Sequence, residues 1–242
     1  MQTISTEAGG PAAGAPRLRA EAILRSVRVV LFDAVGTLLF PDPPVAEAYF
    51  QAGRRHGSHL NRHEVRDRFQ RSFTRSHQGG CSSEVVERQR WQTIVAEVFD
   101  DVPTSNRDAL FQELWSHFEA PPSWKLFDDV PGVWDELRRR GKQLGIASNF
   151  DARLITLCRT LAPLDTAERV FCSSQVGYCK PDHRFFLAIQ QQLGVEADEI
   201  LLVGDDPRTD FGGASAAGWH ALLIDRTGAV AGAMGDLADL LA

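Results

Sequence analysis

Four short stretches carry side chains whose types and spacing could do chemistry. They are Asp33 and Thr37 in "DAVGTL", Ser148 and Asn149 in "IASNF", Lys180 in "YCKPD", and Asp205, Asp206 and Asp210 in "GDDPRTD". A carboxylate such as Asp33 can attack phosphorus or an activated carbon and form a covalent intermediate that water later hydrolyses. Attack on a phosphate dianion needs the repulsion between the two anions offset. Mg²⁺ does this with oxygen ligands, and because it keeps several waters, one or two carboxylates plus a substrate oxygen suffice. Asp33 and Asp205 are expected as direct metal ligands, with Asp210, about one helical turn further on, completing the shell or holding a metal-bound water. Lys180 is the expected fixed cation, one of only three lysines with Lys125 and Lys142 in a chain that otherwise uses arginine. Thr37 and Ser148 would donate hydrogen bonds to substrate oxygens, with Asn149 adding an amide.

Taken singly, most of these residues have ordinary explanations. An aspartate before a glycine caps turns, and Ser148 with Asn149 are common helix starters. The acids at 205, 206 and 210 are different, because three carboxylates on one short turn repel one another unless a cation or proton intervenes. They do not fit a calcium loop, since Pro207 and Thr209 occupy alternate positions. The same stretch lacks G-x-G-x-x-G, which argues against a dinucleotide site. His56, His59 and His63 could turn toward a metal on a helix, but Gly57 and Ser58 weaken that helix and no cysteine or acid is placed to complete zinc.

Residues so far apart act together only if the fold gathers them. "VRVVLF" (27–32) reads as a strand buried on both faces of a parallel sheet. From Pro41 to about Ser123 the pattern becomes helical, with Trp91, Ile94, Val95, Val98 and Phe99 at i, i+3, i+4, i+7 and i+8, and Leu110, Phe111, Leu114, Trp115 and Phe118 repeating it. No strand-like run interrupts this region, which is bounded by "FPDPP" and "APPSW". Beyond Trp124, helices and strands alternate, with strands at "QLGIAS", "RVFCS", "EILLVG" and "HALLI". The expected fold is α/β, a doubly wound Rossmann-like parallel sheet with an inserted all-helical domain. Its expected division is a disordered tail over 1–20, a core over 21–41 and 124–242, and a helical cap over 42–123. Strand tips in such a sheet face one edge, so the four polar stretches converge there.

The ordered set "DAVGTL", "SN", "KPD" and "GDDPRTD" resembles the motifs of the haloacid dehalogenase-like hydrolase superfamily. The resemblance implies Asp33 as nucleophile, Ser148 as donor to a substrate oxygen, Lys180 as orienting cation, Asp205 and Asp210 as the acidic motif, and the Val35 carbonyl as a further magnesium ligand. It also implies a cap that closes over the sheet and selects substrates by shape. Val35 departs from the phosphatase branch, where a second aspartate at this position protonates the leaving group and then activates water. The dehalogenase branch looks like "DAYGT" here and needs neither that acid nor a metal, so "DAVGT" leans toward it. The retained Asp205, Asp206 and Asp210 lean back toward magnesium. The expectation is a Mg²⁺-dependent phosphatase acting on a small phosphorylated metabolite. The alternatives are metal-independent hydrolysis of a 2-haloacid and a catalytically silent protein that binds through the same pocket.

Across 242 residues, 43% hydrophobic content supports a large buried core. The net charge of −6 argues against a nucleic-acid partner despite the arginine groups at 54–55 and 62–71. No apolar run approaches the roughly 20 residues needed to span a bilayer, so no membrane partner is expected. Four cysteines without C-x-x-C spacing fit reduced thiols and a cytoplasmic location, and either a monomer or a homodimer is compatible with the sequence.

Overall fold

A computed structural model describes residues 15–76 and 80–241. The chain begins with α1 (Ala15–Ser26), β1 (Val29–Phe32) and β2 (Leu39–Pro41). The inserted segment follows as α2 (Val45–Arg55), α3 (Arg62–Ser76), β3 (Gly80–Cys81), α4 (Glu84–Val98) and α5 (Thr104–Glu119). Next come β4 (Trp124–Leu126), α6 (Val130–Arg139), β5 (Gln143–Ser148), α7 (Arg153–Thr160) and β6 (Arg169–Cys172). The remainder is α8 (Ser173–Val176), β7 (Tyr178–Cys179), α9 (His183–Leu193), β8 (Ile200–Gly204), α10 (Gly213–Ala216) and β9 (His220–Leu223).

Five strands form the central sheet in the order β6-β5-β1-β8-β9, and every pairing is parallel. Each face is sealed by helices, which is why β1 and β8 are apolar at every position before their tips. Val30 and Phe32 pack on one side with Ile23 of α1, Trp134 and Leu137 of α6, and Leu154 of α7. Val29 and Leu31 point the opposite way, toward Phe185, Phe186 and Ile189 of α9. This alternation is the period-2 geometry of a strand applied to two buried faces. The expected doubly wound α/β fold is the observed one.

One boundary differs from the sequence expectation. The expected tail over 1–20 falls outside the described residues as far as residue 14, but Ala15–Ala20 are helical and Ala20 is fully buried beside Ile23 and Leu24. Alanine and leucine on one face of α1 find the sheet, and that packing outweighs the Gly- and Pro-rich composition just upstream.

The chain leaves β1 toward β5 on one side, and β8 continues to β9 on the other. The crevice at the C-terminal ends of β1 and β8 is therefore the switch point of the sheet, where α/β folds bind ligands. Above it, α2 to α5 enclose an apolar cluster of their own, including Tyr49, Val65, Ile94, Val98, Phe99 and Leu110. The expectation of an uninterrupted helical segment needs one correction. Gly80–Cys81 pairs antiparallel with Tyr178–Cys179, tying the insertion to the core. A two-residue pairing has no hydropathy period to read.

A second short ribbon marks the exit and return of the chain, with Leu39 opposite Leu126 and Pro41 opposite Trp124. Glu84 in the first turn of α4 adds a further tie. It accepts the Ala152 backbone N–H at 3.1 Å and the Ser174 hydroxyl, joining the insertion to the start of α7.

Candidate active site

The turn after β1 sets the site. Asp33 N–H donates to the Val203 carbonyl at 2.8 Å, locking the tip of β1 to β8. Leu38 and Leu39 N–H groups both reach back to Ala34, and Gly36 N–H donates to Leu39. This tight loop needs φ of +91° at Gly36, a region that favours glycine. Glycine is needed here for space as well, because a Cβ at residue 36 would lie 2.2 Å from Asp205 Oδ2. Gly204 does the same for the second acid, since a Cβ there would lie 2.3 Å from Asp210 Oδ2. Two glycines thus clear the room in which three carboxylates meet.

Carboxylate oxygens of Asp33, Asp205 and Asp210 lie within 4.8 Å of one another, the one group of three metal-capable side chains among the described residues. Lys180 is buried between two of them, with Nζ 2.6 Å from Asp33 Oδ1 and 2.5 Å from Asp210 Oδ1. Its third proton goes to the Ala147 carbonyl at 2.9 Å, so all three ammonium donors are used. Burial works against the charged form of Lys180, but the Asp210 and Asp33 carboxylates outweigh it and raise the pKa.

In two of the acids the pKa is raised as well, which there disfavours the charged form. Loss of water around Asp210 raises its pKa, against the pull of Lys180. Asp205, open to the cavity on one side, is also raised, by restricted solvation and then by Asp33 and Asp210. Three carboxylates facing one ammonium leave the cluster net negative. A hard divalent cation is what such a donor set accommodates, so the residues fit Mg²⁺.

A cavity of about 430 Å³ opens from this cluster toward the inserted helices. Asp33, Val35, Ser148, Asn149, Lys180, Asp205 and Asp210 all reach its wall, so most of the expected site residues are brought together. Ser148 is buried at the tip of β5. The Asn149 amide does something the sequence reading did not foresee. Its Nδ2 donates to the Lys180 carbonyl at 2.9 Å and its Oδ1 accepts the Lys180 N–H at 2.7 Å, so the side chain holds Lys180 in place.

Thr37 also departs from expectation. It is fully buried with Oγ1 unpartnered and is not part of the cavity wall, so in this arrangement its hydroxyl does not meet a substrate. Its carbonyl accepts from Arg226, whose guanidinium also grips Asp129 at two points and lies over Phe127. Asp206, the third acid of its turn, caps that turn by accepting from Arg208 and Thr209 N–H at 2.8 and 2.7 Å. Two of the three histidines are engaged elsewhere, His56 with Glu113 at 2.7 Å and His63 with Asp67 at 3.0 Å, and none of the three lines the cavity.

Sequence reasoning missed the rest of the cavity. Trp91 has the spacing of an apolar stripe on its helix, yet it lines the cavity with Phe69, Phe73 and Arg90. Arg153 and Asp151 form a two-point buried pair at 2.8 and 2.7 Å beside the same wall. The i, i+2 spacing of that acid and arginine was the one visible signal.

A strand-end carboxylate, a buried lysine and an acidic turn converging at the switch point of a parallel sheet define an acid-centred α/β hydrolase. The chain belongs to the haloacid dehalogenase-like hydrolases, whose family model matches residues 27–218. It is 28% identical over 205 residues to the human haloacid dehalogenase-like hydrolase domain-containing protein 3, covering 82% of both chains. Among solved structures it is similar to a HAD phosphatase from Thermococcus onnurineus, with TM-score 0.65, 24% identity, and coverage of 88% of this chain and 96% of that one. It is likewise similar to a 2-haloacid dehalogenase from Pseudomonas syringae pv. Tomato, with TM-score 0.62, 20% identity and coverage of 89% and 96%. At these identities the two structures share the fold. No helix among the described residues is long and apolar enough to cross a membrane.

Proposed function

We propose that this hydrolase is a Mg²⁺-dependent phosphatase of small phosphorylated metabolites. The observation that carries the reading is the convergence of Asp33, Asp205 and Asp210, with Gly36 and Gly204 clearing the space they share. Asp33, Asp205 and the Val35 carbonyl would hold the ion, and Asp210 would steady a ligand of it. Bound there, magnesium supplies charge that draws phosphate oxygens to the acidic floor.

An Asp33 oxygen attacks phosphorus, and the bond to the leaving-group oxygen breaks with its electron pair. Lys180 holds Asp33 in position, while Ser148 donates a hydrogen bond to a phosphate oxygen. Water then attacks the aspartyl phosphate, returning the Asp33 carboxylate and releasing phosphate and a proton to solvent. The four cysteines, all free thiols, support a cytoplasmic setting.

Phosphate release from acetyl phosphate tests the reading. It should require Mg²⁺ and vanish in Asp33→Asn, whereas release that survives this substitution would overturn the assignment. Val35 favours a second reading, halide release from 2-haloacids. EDTA-insensitive release of chloride or bromide would support it. Against it, the two arginines on the cavity wall, Arg90 and Arg153, are paired with Glu87 and Asp151, leaving both charges already offset before a substrate carboxylate arrives.

A further inference from the structure

The cavity has two unlike halves. Its floor is the carboxylate and lysine cluster, and much of its remaining wall is aromatic, with Pro41, Val45 and Gln70 among the rings. Phe69 and Phe73 stack with ring centroids 5.5 Å apart, and Phe73 meets Trp91 at 6.0 Å. Phe118, Trp124 and Phe150 form a second chain of edge contacts at 6.1 and 6.0 Å. All six rings line the cavity that contains Asp33. They come from α3, α4, α5, the β2–β4 ribbon and the loop after β5, so no single element's packing explains their meeting. The two cations on the same wall are neutralised, Arg90 Nη2 by Glu87 at 2.7 Å and Arg153 by Asp151 at 2.7 Å. A second anionic group on the substrate would therefore compete with Glu87 and Asp151 for these charges, Arg90 Nε alone of the two guanidinium groups' atoms being a buried donor without a hydrogen-bond partner.

Val35 supplies an independent constraint. Its side chain packs against the apolar core cluster while reaching the cavity, and it has no proton to give a departing oxygen. An unassisted oxygen leaves readily only when it is weakly basic. A phenolic oxygen, with a pKa of about 10, leaves as the anion far more easily than an aliphatic one, which is as strongly basic as the anion of water.

We propose that the substrate is a phosphate monoester of an uncharged aromatic alcohol, its ring held between the Phe69–Phe73–Trp91 and Phe118–Trp124–Phe150 arcs. The inference rests on the phosphatase reading above and adds the class of leaving group. Asp33 displaces the phenolate, which carries the electron pair of the broken P–O bond into the cavity and takes a proton from water.

Two measurements test it. In the first, kcat/KM for phenyl and naphthyl phosphates should exceed that for ethyl phosphate by at least about 10²-fold, the lower bound of what a missing general acid costs a poor leaving group. In the second, phosphonates lacking a cleavable P–O ester bond compete with acetyl phosphate. Phenyl- and 2-naphthylphosphonate should inhibit at about 10-fold or more lower concentration than methylphosphonate, reflecting burial of the ring. Trp91→Ala should erase that preference and raise KM for naphthyl phosphate more than it lowers kcat, and Trp91→Phe should restore most of it. An unchanged thermal transition for Trp91→Ala separates loss of the wall from loss of the fold. Equal inhibition by methyl- and naphthylphosphonate, with Asp33-dependent turnover of acetyl phosphate intact, would overturn the substrate class and leave the phosphatase reading standing. Loss of acetyl phosphate turnover as well would remove both.

Discussion

The floor and the aromatic wall of one cavity are built on different principles. Asp33 and Asp205 sit at the tips of β1 and β8 in a sheet whose register is fixed on both sides, with Lys180 just after β7 and Asp210 in the turn after β8. Three of them are held by bonds that involve backbone: Asp33 N–H to the Val203 carbonyl, Lys180 N–H to the Asn149 side chain, and the Asp210 carboxylate to Asp206 N–H. The wall is made mostly of side chains on α3, α4 and α5, joined to the sheet by two short ribbons and Glu84. The difference separates two tasks. A rigid floor preorganises charge for one reaction, while a wall carried by helices can vary in shape without disturbing that charge.

Val35→Asp should blur the comparison most, because it adds acid chemistry to the floor. Turnover of ethyl phosphate should rise by about 10²-fold or more, with a much smaller gain for phenyl phosphate, so the ratio of the two rates is the quantity to measure. An equal change for both esters would mean that leaving-group protonation is not what Val35 removes.

Lys180→Met attacks the floor's charge balance instead. It leaves Asp33 and Asp210 buried without their cation, and breaking a buried pair in this way costs about 3 to 5 kcal/mol. Chemical denaturation without Mg²⁺ should show that loss, and added Mg²⁺ should recover more stability in the variant than in the parent. A variant as stable as the parent would show that the lysine does not hold the acids together.

Gly36→Ala is the mildest of the three. A methyl group 2.2 Å from Asp205 Oδ2 must push that carboxylate aside, and the backbone there has φ of +91°. The Mg²⁺ concentration for half-maximal activity should rise about 10- to 100-fold, the usual cost of misorienting a metal ligand. Unchanged Mg²⁺ dependence would place Asp205 outside the ion's reach.

The same contrast explains what could be read before the structure was known. Asp33, Lys180 and Asp205 stand out in sequence because charged residues interrupt apolar runs at strand ends, and the order of strands and helices carries them to one edge. Trp91 and Phe73 do not stand out. An aromatic residue facing a cavity has the same helical spacing as one facing a core, and only the three-dimensional path of α3 and α4 separates the two. The roles of Asn149 and Asp206 were hidden for another reason, since an amide or carboxylate that grips the backbone looks the same in sequence as one aimed at a ligand. The two ribbons were too short to leave a period at all.

The account stands most directly on covalent chemistry at Asp33. The protein mixed with acetyl phosphate and Mg²⁺, stopped in acid within milliseconds and digested, should yield one phosphorylated peptide, the one containing Asp33, with the label lost when Mg²⁺ is withheld. A phosphoryl group on any other residue, or steady release of phosphate with Asp33 never labelled, would contradict it.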